Sequence, residues 1–313
     1  MMVELTKVMC QKTLRVMSYN CRGLNKSKKD YLRSLLSRCD VLFIQEHWLC
    51  EAQMSSLNEL STAHCSMGVC GFGSNEVLSG RPYGGCAIFW KQGLSNDITF
   101  VPIDCRRLCG ICCSFGFGKI LFLNGYLPYE CDDASRIEFR NELGIIEDVL
   151  ESHNGYHVIF GGDFNVDIGR ACTNTSVLQD FCAALNLYID ANHDSYSIDY
   201  TYHFAMKTFH ALDHFVISQE LFAESVGNIF ALYEVDNTSD HEPICMIIEV
   251  DHLVDNAKPR SFESKIAWHK ASSENLAAYA NALKHELANL FISLIRLLFV
   301  TTYVAKMLVR PLL

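Results

Sequence analysis

What most restricts this chain is where its acids and amides stand. Apolar stretches of strand length run directly into them: Asn20 follows LRVMSY, Glu46 follows VLFIQ, Asp163 and Asn165 follow HVIFGG, Asp213 opens onto HFVIS, and Asp240-His241 precedes EPICMIIEV. A carboxylate beside a buried strand is costly unless it is paired or bound to a cation. Taken singly, each of these acids reads as a turn cap or a surface ion pair. Recurring in one setting, they point to a shared polar site at the ends of packed strands.

The apolar pattern sets out the elements around that site. Leu14 to Asn20, VLFIQEHW from 41, GGCAIFW from 84, ITFVPI from 98, LCGICCSF from 108 and KILFLNGYLP from 119 read as strands, the last two joined by a hairpin at GFGK. HVIFGGDFN from 157 returns to strand, and YTYHF, ALDHFVIS and ICMIIEV close the series. Lys26 to Arg38 places Leu32, Leu35, Leu36 and Cys39 at helical spacing. Asp132 to Ser152 does so with Phe139, Leu143, Ile146 and Leu150, behind a Ser135/Glu138 capping pair, and Leu178, Phe181, Cys182 and Leu185 mark a third helix. Many strands and few helices in mixed order predict two packed sheets with helices outside.

Charge narrows the partners. The chain has 36 acidic and 26 basic side chains, a net charge of -10, which argues against coating nucleic acid by bulk electrostatics. Residues 1–39 hold nine Lys or Arg against only Glu4 and Asp30, a local excess of +7 that leaves -17 for the rest. Such a chain can grip a polyanion at one place and gather carboxylates at another. Fifteen cysteines, odd in number and mostly inside apolar runs, read as buried free thiols of a reducing compartment. Cys109 and Cys112 form a CxxC with no second pair at zinc-ligand spacing. The start, MMVELTKVMC, has no continuous apolar core, so no export is expected.

The expected organisation is a leader over 1–11, one domain over 12–252, a polar linker and helix over 253–289 with Ser272 or Ser273 as cap, and an apolar tail over 290–313. Arg296, Lys306 and Arg310 interrupt the tail, whereas a clean span needs about 20 uninterrupted apolar residues. An ill-fitting amphipathic tail is the preferred reading over a membrane anchor.

SYNCRGLN at 18–25, QE at 45–46, NGYLP at 124–128, GGDFN at 161–165, LDHFVIS at 212–218 and SDHEP at 239–243 resemble the ordered motifs of the endonuclease/exonuclease/phosphatase superfamily. SYNCRGL, GRPYGGCAIFW at 80–90, NGYLPYE at 124–130 and WHKASSENL at 268 are most similar to the endonuclease module of non-LTR (LINE-like) retrotransposon polyproteins and its linker. The resemblance implies an α/β fold, a four-layer α/β/β/α sandwich of two mixed sheets with outer helices like that of deoxyribonuclease I. It also implies a Mg²⁺-dependent DNA endonuclease, with Mn²⁺ as a substitute, that nicks one strand and leaves a 3'-hydroxyl in priming retrotransposon insertion. Other expectations are an abasic-site or general phosphodiesterase of the same superfamily, or an inactive retroelement remnant, since the chain stops where a reverse transcriptase is expected. DNA is the implied partner and the nucleus the implied place of action; no feature requires a protein partner.

The resemblance also distributes roles. Glu46 takes the metal-ligand position, with Asn20 and Asp240 lining it. His241 contacts the scissile phosphate or serves as base, with Asp213 orienting it. Asp163 is the expected water-activating base, and the division of that work between His241 and Asp163 stays open. Asn165 and Tyr126 are expected to donate hydrogen bonds to phosphate oxygens. Further expectations place Thr201, Ser239 and Arg81 against phosphate or DNA, and with them Lys26, in a basic loop that also holds Arg22, Lys28 and Lys29. Asn124 reads as a structural strand-end amide, and Tyr129 stands where related nucleases carry Asn.

Overall fold

A computed structural model describes residues 13–73, 82–95, 97–205 and 207–249, together with helical positions at 274, 277, 278, 280–285 and 287. Two compact units divide the chain, Met1–Glu263 and Ser264–Leu313. Helix is found in the second unit where the pattern after Ser273 predicts it. The expected caps Ser272 and Ser273, the leader over 1–11, the tail over 290–313 and Arg81 lie outside the described residues. Among the described residues no helix is long and apolar enough to cross a membrane.

In chain order the first unit comprises β1 (Thr13–Asn20), α1 (Lys26–Leu36), β2 (Val41–Gln45), β3 (His64–Val69), β4 (Cys86–Lys91), β5 (Ile98–Val101), β6 (Leu108–Phe115), β7 (Gly118–Tyr126), α2 (Asp133–Ser152), β8 (His157–Asp163), α3 (Thr173–Ala184), β9 (Leu187–Ile189), β10 (Tyr196–Ser197), β11 (Tyr202–Phe204), β12 (Thr208–His210), β13 (Asp213–Ser218), α4 (Gln219–Glu224), β14 (Val226–Ala231) and β15 (Ile244–Glu249), with 3-10 turns at Glu51–Glu59 and Asp190–Asn192. One sheet runs β10-β14-β15-β1-β2-β4-β3 and the other β5-β6-β7-β8-β13-β9. The pair β11-β12 forms a separate ribbon, so YTYHF is not the sheet strand its pattern predicts. With only three residues against three, it pairs locally instead.

Side-chain alternation explains the layers. On β2, Val41 and Phe43 enter the core between the sheets, where Phe43 meets Phe122 and Phe215, while Leu42 and Ile44 face Leu32, Leu35 and Leu36 of α1. On the far side of the second sheet, Leu121 and Phe160 join Phe139 and Leu143 of α2 and Leu178 of α3. Three apolar layers thus separate four layers of elements, the expected two-sheet sandwich with outer helices. On β6, Cys109 points into the inter-sheet core and Cys112 into the outer one. The α2 cap differs from expectation: Asp132 accepts from the Ser135 N–H at 2.7 Å, so Ser135 is the third helical residue, and Glu138 instead pairs with Arg107 at 2.9 Å.

Pairing register brings the acids to one rim. Parallel β1 and β2 end together at Asn20 and Gln45, and parallel β7 and β8 end with Tyr126 opposite Asp163. Antiparallel β13 starts with Asp213 opposite Asp163. Antiparallel β15 starts with Ile244 opposite Ser18, which leaves Asp240 and His241 just above the end of β1. Buried Asn124 stitches the sheets there, donating to the Ile44 and Ala87 carbonyls at 2.9 and 2.8 Å and accepting from Gln45 Nε2 at 2.7 Å. Close approach also dictates the GG of GGDFN. A Cβ on Gly161 would lie 2.7 Å from Phe215, and one on Gly162, whose φ is +151°, would lie 1.9 Å from the Gly125 carbonyl oxygen.

Candidate active site

Three loops and three strand ends build the site. Asn20, fully buried at the end of β1, donates from Nδ2 to Asp163 Oδ2 at 2.9 Å and to Glu46 Oε1 at 3.1 Å, so one amide fixes two acids. Glu46 sits one residue past β2 at φ 53°, and Trp48 Nε1 donates to its other oxygen at 2.9 Å. Asp163 Oδ1 accepts from the Asn165 N–H at 2.9 Å, an Asx turn that holds Asn165 at φ 52°. His241 stands above this group with Nδ1 2.8 Å from Asp213 Oδ2 and Nε2 3.8 Å from Asp163 Oδ2. Glu46, Asp163, Asn165, Asp240 and His241 line one open cavity of about 380 Å³.

Burial and charge set the protonation states. Burial pushes the Asp163 carboxyl up and the Asp213 charge adds to it, against the lowering effect of His241 and the Asn20 and Asn165 hydrogen bonds. Burial alone lowers the basicity of His241, but Asp213 and Asp163 outweigh it and hold the imidazole in the protonated form. Burial, with the charges of Glu46 and Asp163, raises the Tyr126 hydroxyl, which stays a donor. Among these groups Asp163 is an acceptor of raised basicity and His241 a fixed cationic donor.

The chain's own sequence between 17 and 241 matches the model of the endonuclease/exonuclease/phosphatase family, well over half its length. The chain belongs to that family. Its members are hydrolytic nucleases and phosphatases whose chemistry depends on a divalent metal. Solved structures agree at the level of the fold. An AP endonuclease from Leishmania major superposes with a TM-score of 0.62 at 16% identity, covering 76% of this chain and 88% of that one. The endonuclease domain of TRAS1, a telomere-specific non-LTR retrotransposon, gives 0.57 at 14% identity, with 76% and 98% covered. A 3' phosphatase from Neisseria, bound to a product DNA hairpin, gives 0.56 at 15% identity, with 74% and 98% covered. A comparison with curated protein sequences found no match.

Which residues fit the family's metal is decided by charge and by access to the cavity. Asp163, Asp213 and His241 are the described side chains whose ligand atoms lie close enough, within 4.8 Å, to share an ion. They are not the expected set of Glu46, Asn20 and Asp240. Yet His241 and Asp213 already bond each other, and a protonated imidazole repels a cation. Glu46 and Asp240 offer carboxylate oxygens to the cavity, and Asp240 Oδ1 is buried with no hydrogen-bond partner among the described residues. An oxygen-only donor set suits a hard divalent cation, so Glu46 and Asp240 fit the group. Asn20 serves them differently from expectation: its Nδ2 braces Glu46 and its Oδ1 accepts from the Arg22 N–H at 3.0 Å.

Other expected residues stand elsewhere. Thr201 is fully buried, and its Oγ1 accepts from the Leu212 and Asp213 N–H groups at 2.9 and 3.0 Å; the expected phosphate contact becomes a peg that sets the start of β13. Ser239 is buried too and donates to the Asn20 carbonyl at 2.8 Å, tying the His241 loop to β1. Lys26 is exposed at the first position of α1. Lys28 is withdrawn from the basic loop, its Nζ donating to the Arg22 carbonyl at 2.6 Å. Tyr126 lies on a second cavity with the Arg107 guanidinium 5.3 Å over its ring. Sequence reasoning missed three residues of the site: Tyr202, whose ring centroid is 4.9 Å from that of His241, His210, and the brace Trp48. Alternation on β11 and the proximity of Trp48 to Glu46 in the chain were the available signals.

Proposed function

We propose that the protein is a Mg²⁺-dependent DNA endonuclease that nicks one strand and leaves a 3'-hydroxyl, acting in the nucleus on the target site of a retroelement. The observation that carries this reading is His241, locked through Nδ1 on Asp213, with Nε2 beside Asp163 on a cavity also lined by Glu46 and Asp240. Similarity to the TRAS1 endonuclease domain and the GRPYGG and WHKAS segments supports the retroelement branch.

The work divides by charge. Asp163, of raised basicity, takes the proton of the attacking water. His241, kept cationic by Asp213, donates from Nε2 to a phosphate oxygen that gains charge in the transition state. Asn165, on the same cavity, adds a neutral donor beside it. Asn20 holds Asp163 and Glu46 in a fixed relation, so the base and the metal ligand move together. A cation on Glu46 and Asp240 would neutralise the phosphate and stabilise the departing 3'-oxygen.

A second reading, abasic-site cleavage, is supported by the likeness to the Leishmania major AP endonuclease and by the apolar wall that Tyr202 and Leu212 give the cavity. Supercoiled plasmid and an abasic-site duplex, each with Mg²⁺ and with EDTA, separate the two. Nicking of intact plasmid with Mg²⁺ alone is expected. Cleavage only at the abasic site would move the assignment, and cleavage of neither would leave the remnant reading.

A further inference from the structure

Among the described residues that line the cavity, Arg22 is the only Lys or Arg, facing Glu46, Asp163 and Asp240. A phosphodiester entering this site meets more negative charge than positive. Arg22 is unusual in two respects. Its backbone is held at three points: the N–H on Asn20 Oδ1 at 3.0 Å, the carbonyl under Lys28 Nζ at 2.6 Å, and the next N–H, of Gly23, on the Glu46 carbonyl at 2.6 Å. The φ of Arg22 is 46°, a left-handed conformation that a non-glycine residue adopts where its surroundings impose it. Its guanidinium, by contrast, has a single side-chain partner among the described residues, Asp240 Oδ2. The side chain of Arg22 is 41% exposed and that of Asp240 13%, so the guanidinium keeps an open side toward the cavity while the carboxylate is nearly covered.

We propose that Arg22 binds the scissile phosphate by exchanging partners: its guanidinium holds the Asp240 carboxylate in the free enzyme and passes to a non-bridging oxygen of the bound phosphodiester, leaving Asp240 to the divalent cation. This rests on the metal-dependent phosphodiesterase reading above. The planar fork of a guanidinium matches a phosphate as it matches a carboxylate, so the exchange replaces one charge-assisted bond with another. Asp240 then offers both oxygens, Oδ1 being already without a hydrogen-bond partner among the described residues. A rigid backbone and a swinging head suit this work. The anchored Cα fixes where the head can reach, and the exposed side lets the substrate meet it before the Asp240 bond is broken. Lys28 is the buried strut that holds the pivot.

Two binding measurements on the full chain test it. In EDTA, affinity for a duplex oligonucleotide is followed over a salt series for wild type, Arg22→Ala and Arg22→Lys. Without DNA, Mn²⁺ binding is followed by electron paramagnetic resonance of the free ion. Arg22→Ala should weaken DNA binding about tenfold and flatten the log–log salt slope by about one contact. Arg22→Lys should restore the slope and only part of the affinity, because an ammonium lacks the fork. Mn²⁺ should bind several-fold more tightly to Arg22→Ala than to wild type, because Asp240 has lost its competitor. Unchanged DNA affinity and slope in Arg22→Ala would overturn the proposal. So would weaker Mn²⁺ binding, which would make Arg22 a strut that shapes Asp240 for the ion. Should Arg22→Ala melt several degrees below wild type, Arg22→Gln, which also removes the charge, carries both the DNA arm and the Mn²⁺ arm with the same criteria. Wild type that binds neither DNA nor Mn²⁺ would remove the phosphodiesterase reading itself, whereas wild type that binds both while the variants match it removes only the exchange.

Discussion

The Asp-His dipeptide occurs at 213–214, at 240–241 and at 251–252, and the first two copies have divided their work in opposite ways. At the second, His241 bonds Asp213 through Nδ1 at 2.8 Å and presents Nε2 to Asp163 and the cavity. At the first, His214 bonds Asp190 through Nδ1 at 3.0 Å, but its Nε2 meets the Val166 and Ala211 carbonyls, both at 3.0 Å, and neither partner is exposed at all. Both imidazoles are raised in basicity, His241 by Asp213 and Asp163 and His214 by Asp190, in each case against the lowering effect of burial. The same pair is therefore a reagent or a rivet according to what the second nitrogen faces. His214 rivets Val166, just after Asn165, to Ala211, just before Asp213, and so holds two site loops in register.

The largest effect that sharpens this contrast is on activity. His241→Ala, Asp163→Ala and Glu46→Ala should each reduce plasmid nicking on the order of a hundredfold or more, and EDTA should abolish it, with melting temperature nearly unchanged in the His241 variant. Wild-type rates in EDTA, or full activity in His241→Ala, would erase the distinction between the two histidines.

His214→Ala should do the reverse. It leaves Asp190 buried without its cation, although the Phe215 and Ala191 N–H groups still reach it at 2.8 and 2.7 Å. Removing one partner of a buried pair costs about 3–5 kcal/mol, which for a domain of this size lowers the melting temperature on the order of 10 °C. A variant that melts like wild type and loses nicking instead would make His214 part of the chemistry.

The pH dependence of stability follows from the same pair. With its basicity raised in the fold, His214 contributes stability that is fully present below the ordinary imidazole value of about 6.5 and is lost as pH rises through the raised value. His241 contributes with the same sign, so the difference between wild type and Asp190→Asn isolates His214. That difference in melting temperature should be greatest at pH 6 and shrink above neutrality, by a few degrees per pH unit within the window. A constant difference would mean that His214 is neutral in the fold.

What the sequence revealed and hid follows the same division. Strands buried on both faces, such as VLFIQ and HVIFGGD, announce themselves because their interior positions are apolar or glycine, and the acids at or just past their ends were legible as departures from that pattern. Two strands were not: HCSMGV of β3, at a sheet edge, and VGNIFA of β14, flanked on one side only by the two-residue β10, carry His, Ser, Gly or Asn among their apolar residues, and most of their positions are only partly buried. Roles that depend on which atom meets which were hidden for another reason. Thr201 and Ser239 stand in motif positions, yet burial turns their hydroxyls to backbone groups, and Asp190, which fixes His214, lies 24 residues away from it in the chain.

The smallest effect concerns the basic loop, where open and occupied charges again stand side by side. Lys26 and Lys29 are free of the backbone contact that holds Lys28, and burial lowers the basicity of Lys28, whose ammonium is fixed on the Arg22 carbonyl. A cation withdrawn from solvent releases no counterion when DNA arrives, so the number of lysines in the loop overstates its phosphate contacts. Replacing Lys26 and Lys29 with Ala should flatten the salt dependence of DNA binding by up to about two contacts, with little change in melting temperature. Lys28→Met should keep the number of lysine contacts and lower stability, and any loss of DNA affinity it causes should come through the displaced Arg22 pivot. If Lys28→Met instead flattens the slope as each of the other two does, the ammonium reaches phosphate in the complex, and the line between occupied and open charge in this loop is redrawn by the substrate.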